Sequence, residues 1–241
     1  MKSLVKQTLL RFGIRAYGPG SIPKGIDLFH DLHRYHLIEA IETIVDVGAN
    51  VGHFSLECNR ALPNRRILAF EPCGDTFNKL RENVACHPNI TTCRAALGSK
   101  SGTASLNILE KSEFNSLLSL SDKEPTSNDK MERVTVKTLD EVVAESKLKA
   151  VDFLKTDTEG FDVEVLKGAE SLLAKRSIKL VLCEVGFHAD DNRHTPFSAV
   201  WKLLAAGGFD LFGFYDQSRF RRAGALDYCN ALFISPRGNS S

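Results

Sequence analysis

No stretch of this chain approaches the roughly 18 consecutive apolar residues that a membrane-spanning helix needs. Charge of one sign is also missing: 31 Lys and Arg stand against 30 Asp and Glu in 241 residues, a net charge of +1. A nucleic-acid reader normally shows a basic excess, so none is expected as a partner. The six cysteines, Cys58, Cys73, Cys86, Cys93, Cys183 and Cys229, form no C-x-x-C pair. Most lie in apolar runs, where a free thiol behaves as a small hydrophobe. This usage fits a reducing cytoplasm better than a disulfide framework. No repeat of solenoid period is present. With 43% hydrophobic and 25% charged residues the composition is that of a globular protein, not a disordered one.

Acidic residues are absent before Asp27, while Lys2, Lys6, Arg11 and Arg15 are present. Residues 1–26 therefore read as a basic extension, and 27–241 as one domain. The extension has no long apolar block or small-residue cleavage site, so it is not read as a signal peptide. Val5, Leu9 and Phe12 share a helical face. The expectation is a short helix packed on the domain, with weak contact to an anionic membrane surface as the alternative.

After Asp27 short apolar β-branched runs alternate with amphipathic ones. Strands are predicted at 44–47, 66–70, 90–97, 104–108, 134–137, 151–156, 178–185, 209–215 and 228–234. Helices are predicted at 53–62, 75–85, 139–144, 162–174 and 196–206. This alternation implies an α/β fold with a mostly parallel sheet covered on both faces. The last two strands should close it as an antiparallel pair. The polar stretch 111–131 has few apolar anchors and reads as a mobile active-site lid.

The strongest local signal is the strand-to-loop sequence Ile44-Val45-Asp46-Val47-Gly48-Ala49-Asn50-Val51-Gly52, followed by a helix. Glycines let the backbone approach a ligand, and a helix N-terminus offers free N–H groups. Asn50 stands where a dinucleotide fingerprint has its second glycine, which disfavours a dinucleotide pyrophosphate. Glu71 ends the next strand, about 20 residues on, placed to accept both ribose hydroxyls of an adenosine-type ligand.

At this point the chain resembles the FkbM-type S-adenosylmethionine-dependent methyltransferases. The resemblance rests on VDVGANVGHFS (45–55), AFEPCGDTFNKLRENV (69–84), RAALGSKSGTASL (94–106), NSLL (115–118), VTVKTLDEVV (134–143), VDFLKTDTEGFDVEVLKGA (151–169) and LVLCEV (180–185). It implies a class I methyltransferase fold, Rossmann-like and doubly wound, with a seven-stranded sheet and an antiparallel strand near one edge. It also implies that Asp46 and Gly48, Asn50 and Gly52 surround the methionine part of S-adenosyl-L-methionine, that Glu71 holds the ribose, and that Ala95 and Ala96 lie near the adenine.

Two polar segments follow apolar strands. Asp157 and Glu159 stand where the strand 151–156 ends, and Glu184 near the end of the next one. Close carboxylates raise one another's pKa and can yield a general base. The same residues, Asp157, Glu159 and Glu184, could instead hold a divalent metal, or Asp157 could only cap a helix. His188 is a third base candidate, because imidazole titrates near neutrality. The H-x-D-D-x-x-H run at 188–194 and the triplet His30, His33 and His36 read as solvated or structural. Arg219, Arg221 and Arg222 read as a solvated turn or a guide for an anionic substrate. The expected activity is O-methylation of a hydroxyl on a sugar, glycan or secondary metabolite. N-methylation of an amine or protein, or a cofactor-binding module without catalysis, are the alternatives.

Overall fold

The computed structural model describes residues 8–108, 130–218 and 224–235. The proposed lid lies almost wholly outside them, as do Arg219, Arg221 and Arg222. The strands are β1 (Thr43–Val47), β2 (Arg66–Phe70), β3 (Ile90–Cys93), β4 (Ala96–Leu97), β5 (Gly102–Ile108), β6 (Lys130–Lys137), β7 (Val151–Thr156), β8 (Ile178–Gly186), β9 (Thr195–Pro196), β10 (Asp210–Ser218) and β11 (Tyr228–Ile234). The helices are α1 (Leu28–Arg34), α2 (His53–Ala61), α3 (Gly74–Asn83), α4 (Leu139–Glu145), α5 (Asp162–Lys167), α6 (Glu170–Ala174) and α7 (Phe197–Ala206).

The main sheet runs β10-β11-β8-β7-β1-β2-β3, and β9 also pairs with β8. β3, β2, β1, β7 and β8 are mutually parallel. β11 runs antiparallel to both β8 and β10, one place in from the edge. The chain winds outward from β1 to β3, then returns to β7 on the other side of β1. The order therefore reverses between β1 and β7, and a crevice opens at their carboxyl ends.

Strand alternation divides the core into two layers. Val45, Val47, Leu154 and Val181 face α4 to α7 through Val142, Leu166 and Val200. Ile44, Ile67, Phe153 and Leu182 face α1 to α3 through Leu32, Cys58 and Leu80. Burying each such side chain contributes roughly 1.5–3 kcal/mol.

Two predicted elements divide. The strand 90–97 breaks after Cys93: β3 pairs with β2, whereas β4 leaves for a second sheet ordered β4-β6-β5. The helix 162–174 breaks at Gly168, where a Cβ would stand 2.0 Å from the Gly98 carbonyl oxygen. The loop at 98 so presses the chain there that only glycine fits, and α5 ends. α4 starts as predicted, with a capping box in which the Thr138 side chain accepts from the Glu141 N–H. Residues ahead of α1 are tied to the domain: Gly25 N–H and the Tyr215 hydroxyl both donate to buried Asp31. Further back, Phe12 and Ile14 are exposed. All six cysteines are free.

Candidate functional site

A cavity of about 890 Å³ opens at the carboxyl ends of β1, β2, β7 and β8. That lies within the roughly 300–1,000 Å³ of small-molecule sites. Of the residues singled out by sequence, Gly48, Asn50, Glu71, Ala95, Ala96, Asp157, Glu159 and Glu184 line it.

On the β1–β2 side the wall is the glycine loop with Glu71, Pro72 and, from α2, His53, Phe54 and Glu57. Gly48 has φ +76°, and a Cβ there would meet the Asp157 carbonyl oxygen at 1.9 Å. The Asp157 N–H in turn donates to the Val47 carbonyl at 3.1 Å, so β1 and β7 close on each other at this glycine. Glu71 accepts from the Asn50 N–H at 3.0 Å and the Cys73 N–H at 2.9 Å. Burial pushes its pKa up to about 7, and those two amides only partly offset the shift. Ala95 and Ala96 with Leu106 of β5 form a small apolar patch beside it.

Asp46 and Gly52 stand behind this wall. Asp46 points from β1 towards α2, fully buried, where it accepts from the Ser55 hydroxyl at 2.7 Å. Gly52 has φ +92°, and a Cβ there would stand 2.7 Å from Leu80 Cδ1. Its role in the structure is to let α2 and α3 approach. Neither lines the cavity, which corrects the expectation that both surround a ligand directly.

The β7–β8 side is built from titratable side chains. Lys155 pairs in register with Asp46. Its Nζ lies 3.0 Å from Asp157 Oδ2 and 3.8 Å from Asp46 Oδ1. Burial works to lower the Lys155 pKa, but the two carboxylates outweigh it and hold the ammonium above the usual lysine value. Glu159, at φ +50°, is pushed up to about 7 by burial and by Asp157, against the opposing charge of Arg193 at 3.4 Å. Glu184 is pushed up to about 9 by burial and then by Asp157, Glu159 and Asp162.

His188 does not line the cavity. It follows Phe187 outward from the end of β8, and its Nε2 lies 3.7 Å from Asp227. His194, to which the sequence reading gave no role, lines the cavity instead. Its Nδ1 is 2.8 Å from Asp191 Oδ2 and its Nε2 3.7 Å from Glu184 Oε2. Of the three residues named as alternative metal ligands, Asp157 is engaged by Lys155. Glu159, Glu184 and His194 instead bring one donor atom each within 4.8 Å of one another. The guanidinium of Arg193 already meets Glu159 from within the chain.

Sequence reading missed Lys155, Arg193, Tyr228 and Asn230, which also line the cavity. A lone lysine ending an apolar strand was a visible signal. Tyr228 and Asn230 gave none, because they join the site only through β11, opposite Gly186 and Glu184.

The strand order and the site at its reversal define a class I methyltransferase fold. The FkbM methyltransferase of Methylobacillus flagellatus superposes with a TM-score of 0.53 at 16% identity, over 81% of this chain and 44% of that one. The fibrillarin pre-rRNA processing protein of Methanococcus jannaschii gives 0.50 at 16% identity, over 82% of this chain and 68% of that one. The model of the methyltransferase FkbM domain matches residues 46–211, and the chain belongs to that family. The hexuronic acid methyltransferase AglP of Haloferax volcanii is 31% identical over 178 residues, covering 72% of this chain and 69% of that protein. A methyltransferase of Beauveria bassiana is 33% identical over 145 residues. The chain spans 58% of the length of that protein and 60% of a methyltransferase of Sordaria araneosa.

Proposed function

We propose that this protein transfers a methyl group from S-adenosyl-L-methionine to a hydroxyl oxygen of a sugar, glycan or related secondary metabolite. The observation that carries the reading is the two-sided cavity, with the glycine-loop backbone, Glu71 and the start of α2 on one side and a denser cluster of titratable groups on the other. The group fits: Glu71 closes the β2 end as an acceptor for ribose hydroxyls, and the apolar patch at Ala95, Ala96 and Leu106 suits a flat adenine. Gly48 and Asn50 would hold the methionine part, with Asp46 and Gly52 supporting them from behind. When bound, this donor supplies an electrophilic methyl on a cationic sulfur.

The chain's own residues would hold an acceptor hydroxyl against that methyl, and holding such a geometry supplies much of the rate in a displacement. Asp157 stays engaged with Lys155. Glu159, its pKa held at about 7 by burial and Asp157, stands against Arg193 on the same side. The hexuronic acid methyltransferase among the relatives supports a sugar acceptor. We place the methyltransferase domain at residues 27–241, with 1–26 as an extension.

The test is calorimetric titration with S-adenosylmethionine and its demethylated product, then a methyl-transfer assay on simple hexuronosides and neutral methyl glycosides. Binding of both ligands and methyl-ether formation on a glycoside are expected. Methylation of amines in preference to hydroxyls would overturn the O-methylation reading. No binding of either ligand would overturn the class of reaction.

A further inference from the structure

We propose that His194, oriented by Asp191 and Tyr228, is the general base that takes the proton from the acceptor hydroxyl. The inference rests on the methyl-transfer reading above. It concerns the loop between β8 and β9, which nothing in that reading needs.

The loop is folded around one carboxylate. Asp191 Oδ1 accepts the backbone N–H groups of Arg193 at 3.0 Å and His194 at 3.1 Å. Its other oxygen, Oδ2, lies 2.8 Å from His194 Nδ1. Gly186, the last residue of β8, leaves the space for this: a Cβ there would stand 2.5 Å from Asp191 Oδ2 and 3.1 Å from His194 Cβ. On the other side, Tyr228 of β11 pairs with Gly186 of β8 and lays its ring on the imidazole, 4.2 Å between centroids and 13° from parallel. The ring is thus held by a carboxylate at one edge and an aromatic at one face. Its remaining edge, Nε2, is presented to the cavity.

That arrangement settles where the proton sits. An ionised carboxylate only accepts hydrogen bonds, so Nδ1 carries the ring proton and Nε2 keeps a lone pair. Burial works upward on the Asp191 pKa, but the two amides and His194 outweigh it and hold it below the usual carboxylate range. Nε2 lies 3.7 Å from Glu184 Oε2, so it is close to that group but not bonded to it. His194 lines the cavity, and an acceptor hydroxyl would reach Nε2 from there.

The other groups around the ring are worse proton acceptors. Asp157, on the loop after β7, is paired with Lys155. Glu159, on the same loop, has Arg193 against it. Glu184, on β8, stands near 9 and is protonated at neutral pH, where it can donate but not accept a proton. Tyr228, on β11, offers a neutral hydroxyl, which is a hydrogen-bond donor and weak acceptor rather than a base. In the transfer the acceptor oxygen forms its bond to the methyl carbon as the carbon–sulfur bond breaks. That bond's electron pair returns to sulfur, leaving a neutral thioether. The hydroxyl proton passes to His194 Nε2, and the imidazolium sits beside the Asp191 carboxylate until solvent takes the proton.

The test needs no acceptor. The full chain, with 15N-labelled histidine, is titrated from roughly pH 5 to 9, and long-range proton–nitrogen correlations read the state of each ring nitrogen. His194→Gln assigns the signals. The expected result is an Nδ1–H tautomer whose population falls in Asp191→Asn. The titration midpoint should also be lower with S-adenosylmethionine than with its demethylated product, by about half a pH unit or more, because only the former carries a positive sulfur nearby. An Nε2–H tautomer, or equal midpoints in the two complexes, would overturn the proposal. So would stoichiometric, EDTA-reversible broadening of the His194 signals by MnCl2 that Glu184→Gln abolishes, since His194 would then be holding a cation. If calorimetry shows that neither ligand binds, the methyl-transfer reading falls first and the base role with it. Where a glycoside is turned over, His194→Gln should lower kcat about 100-fold or more with the KM for S-adenosylmethionine little changed.

Discussion

The two walls of the cavity are made in different ways. The β1–β2 wall presents the glycine loop, two alanines, Glu71 and, from α2, His53, Phe54 and Glu57, and the course of its loop is set by where glycines let backbones meet. The β7–β8 wall presents Lys155, Asp157, Glu159, Glu184, Arg193 and His194, and its shape is set by charges balancing one another. A backbone wall can recognise a ligand common to many proteins with little variation. A wall of side chains can be altered residue by residue, which suits the part of the site that selects an acceptor.

Four substitutions would break or sharpen this contrast. The largest effect is expected from Lys155→Met. It leaves buried Asp46 and its neighbour Asp157 without their cation, and breaking such a buried pair costs about 3–5 kcal/mol. Urea unfolding would measure the loss, and adding Asp46→Asn should restore part of it. No loss would mean that the charges of the β7 wall are solvated and independent.

Gly48→Ala comes next. The new methyl would overlap the Asp157 carbonyl in a left-handed backbone, so a loss of about 3 kcal/mol or more is expected in the same measurement. Stability near that of the parent would show that β1 and β7 are not closed backbone to backbone.

Glu71→Ala should weaken S-adenosylmethionine binding tenfold or more, the worth of charge-assisted hydrogen bonds of roughly 1.5–3 kcal/mol. The sign of the pH dependence follows from the raised pKa. Hydroxyls donating to Glu71 favour its ionised form, so binding lowers a pKa that stands at about 7 in the free protein. Affinity should therefore fall as pH drops below about 7 and level off above it. Glu71→Gln should flatten that profile in calorimetry, and a profile that survives the substitution would move the titrating group to the other wall.

The smallest effect is Tyr228→Leu. Losing the ring on His194 should cost about 0.5–1.5 kcal/mol in thermal unfolding. A much larger loss would show that β11 depends on this stack for its register.

The framework of the sheet was legible because buried strands are short apolar runs and their order followed from alternation with helices. Where the chain changed sheets it was not. Nothing in Ile90–Leu97 distinguishes residues that pair with β2 from those that pair with β6. Asp46 was misplaced by its nearness to the glycine loop, although alternation along β1 already turned it from the face of Val45 and Val47. That His194 and not His188 lines the cavity depended on the space left by Gly186 for Asp191, and spacing along a loop does not reveal such space. Glu71, Asp157, Glu159 and Glu184 could be placed at the cavity because each follows or nearly ends an apolar strand, where a charge has only the crevice to enter.

The position of β11 has a consequence for assembly. It is the latest described strand in sequence, yet it lies between β8 and β10 rather than at the rim. As the chain emerges during synthesis, β10 has no place in the sheet until β11 arrives to separate it from β8. The edge of β8 stays bare until then, and bare strand edges attract wrong partners. Tyr228 and Asn230 arrive with this strand, so the wall carrying His194 is completed only when the sheet itself is sealed.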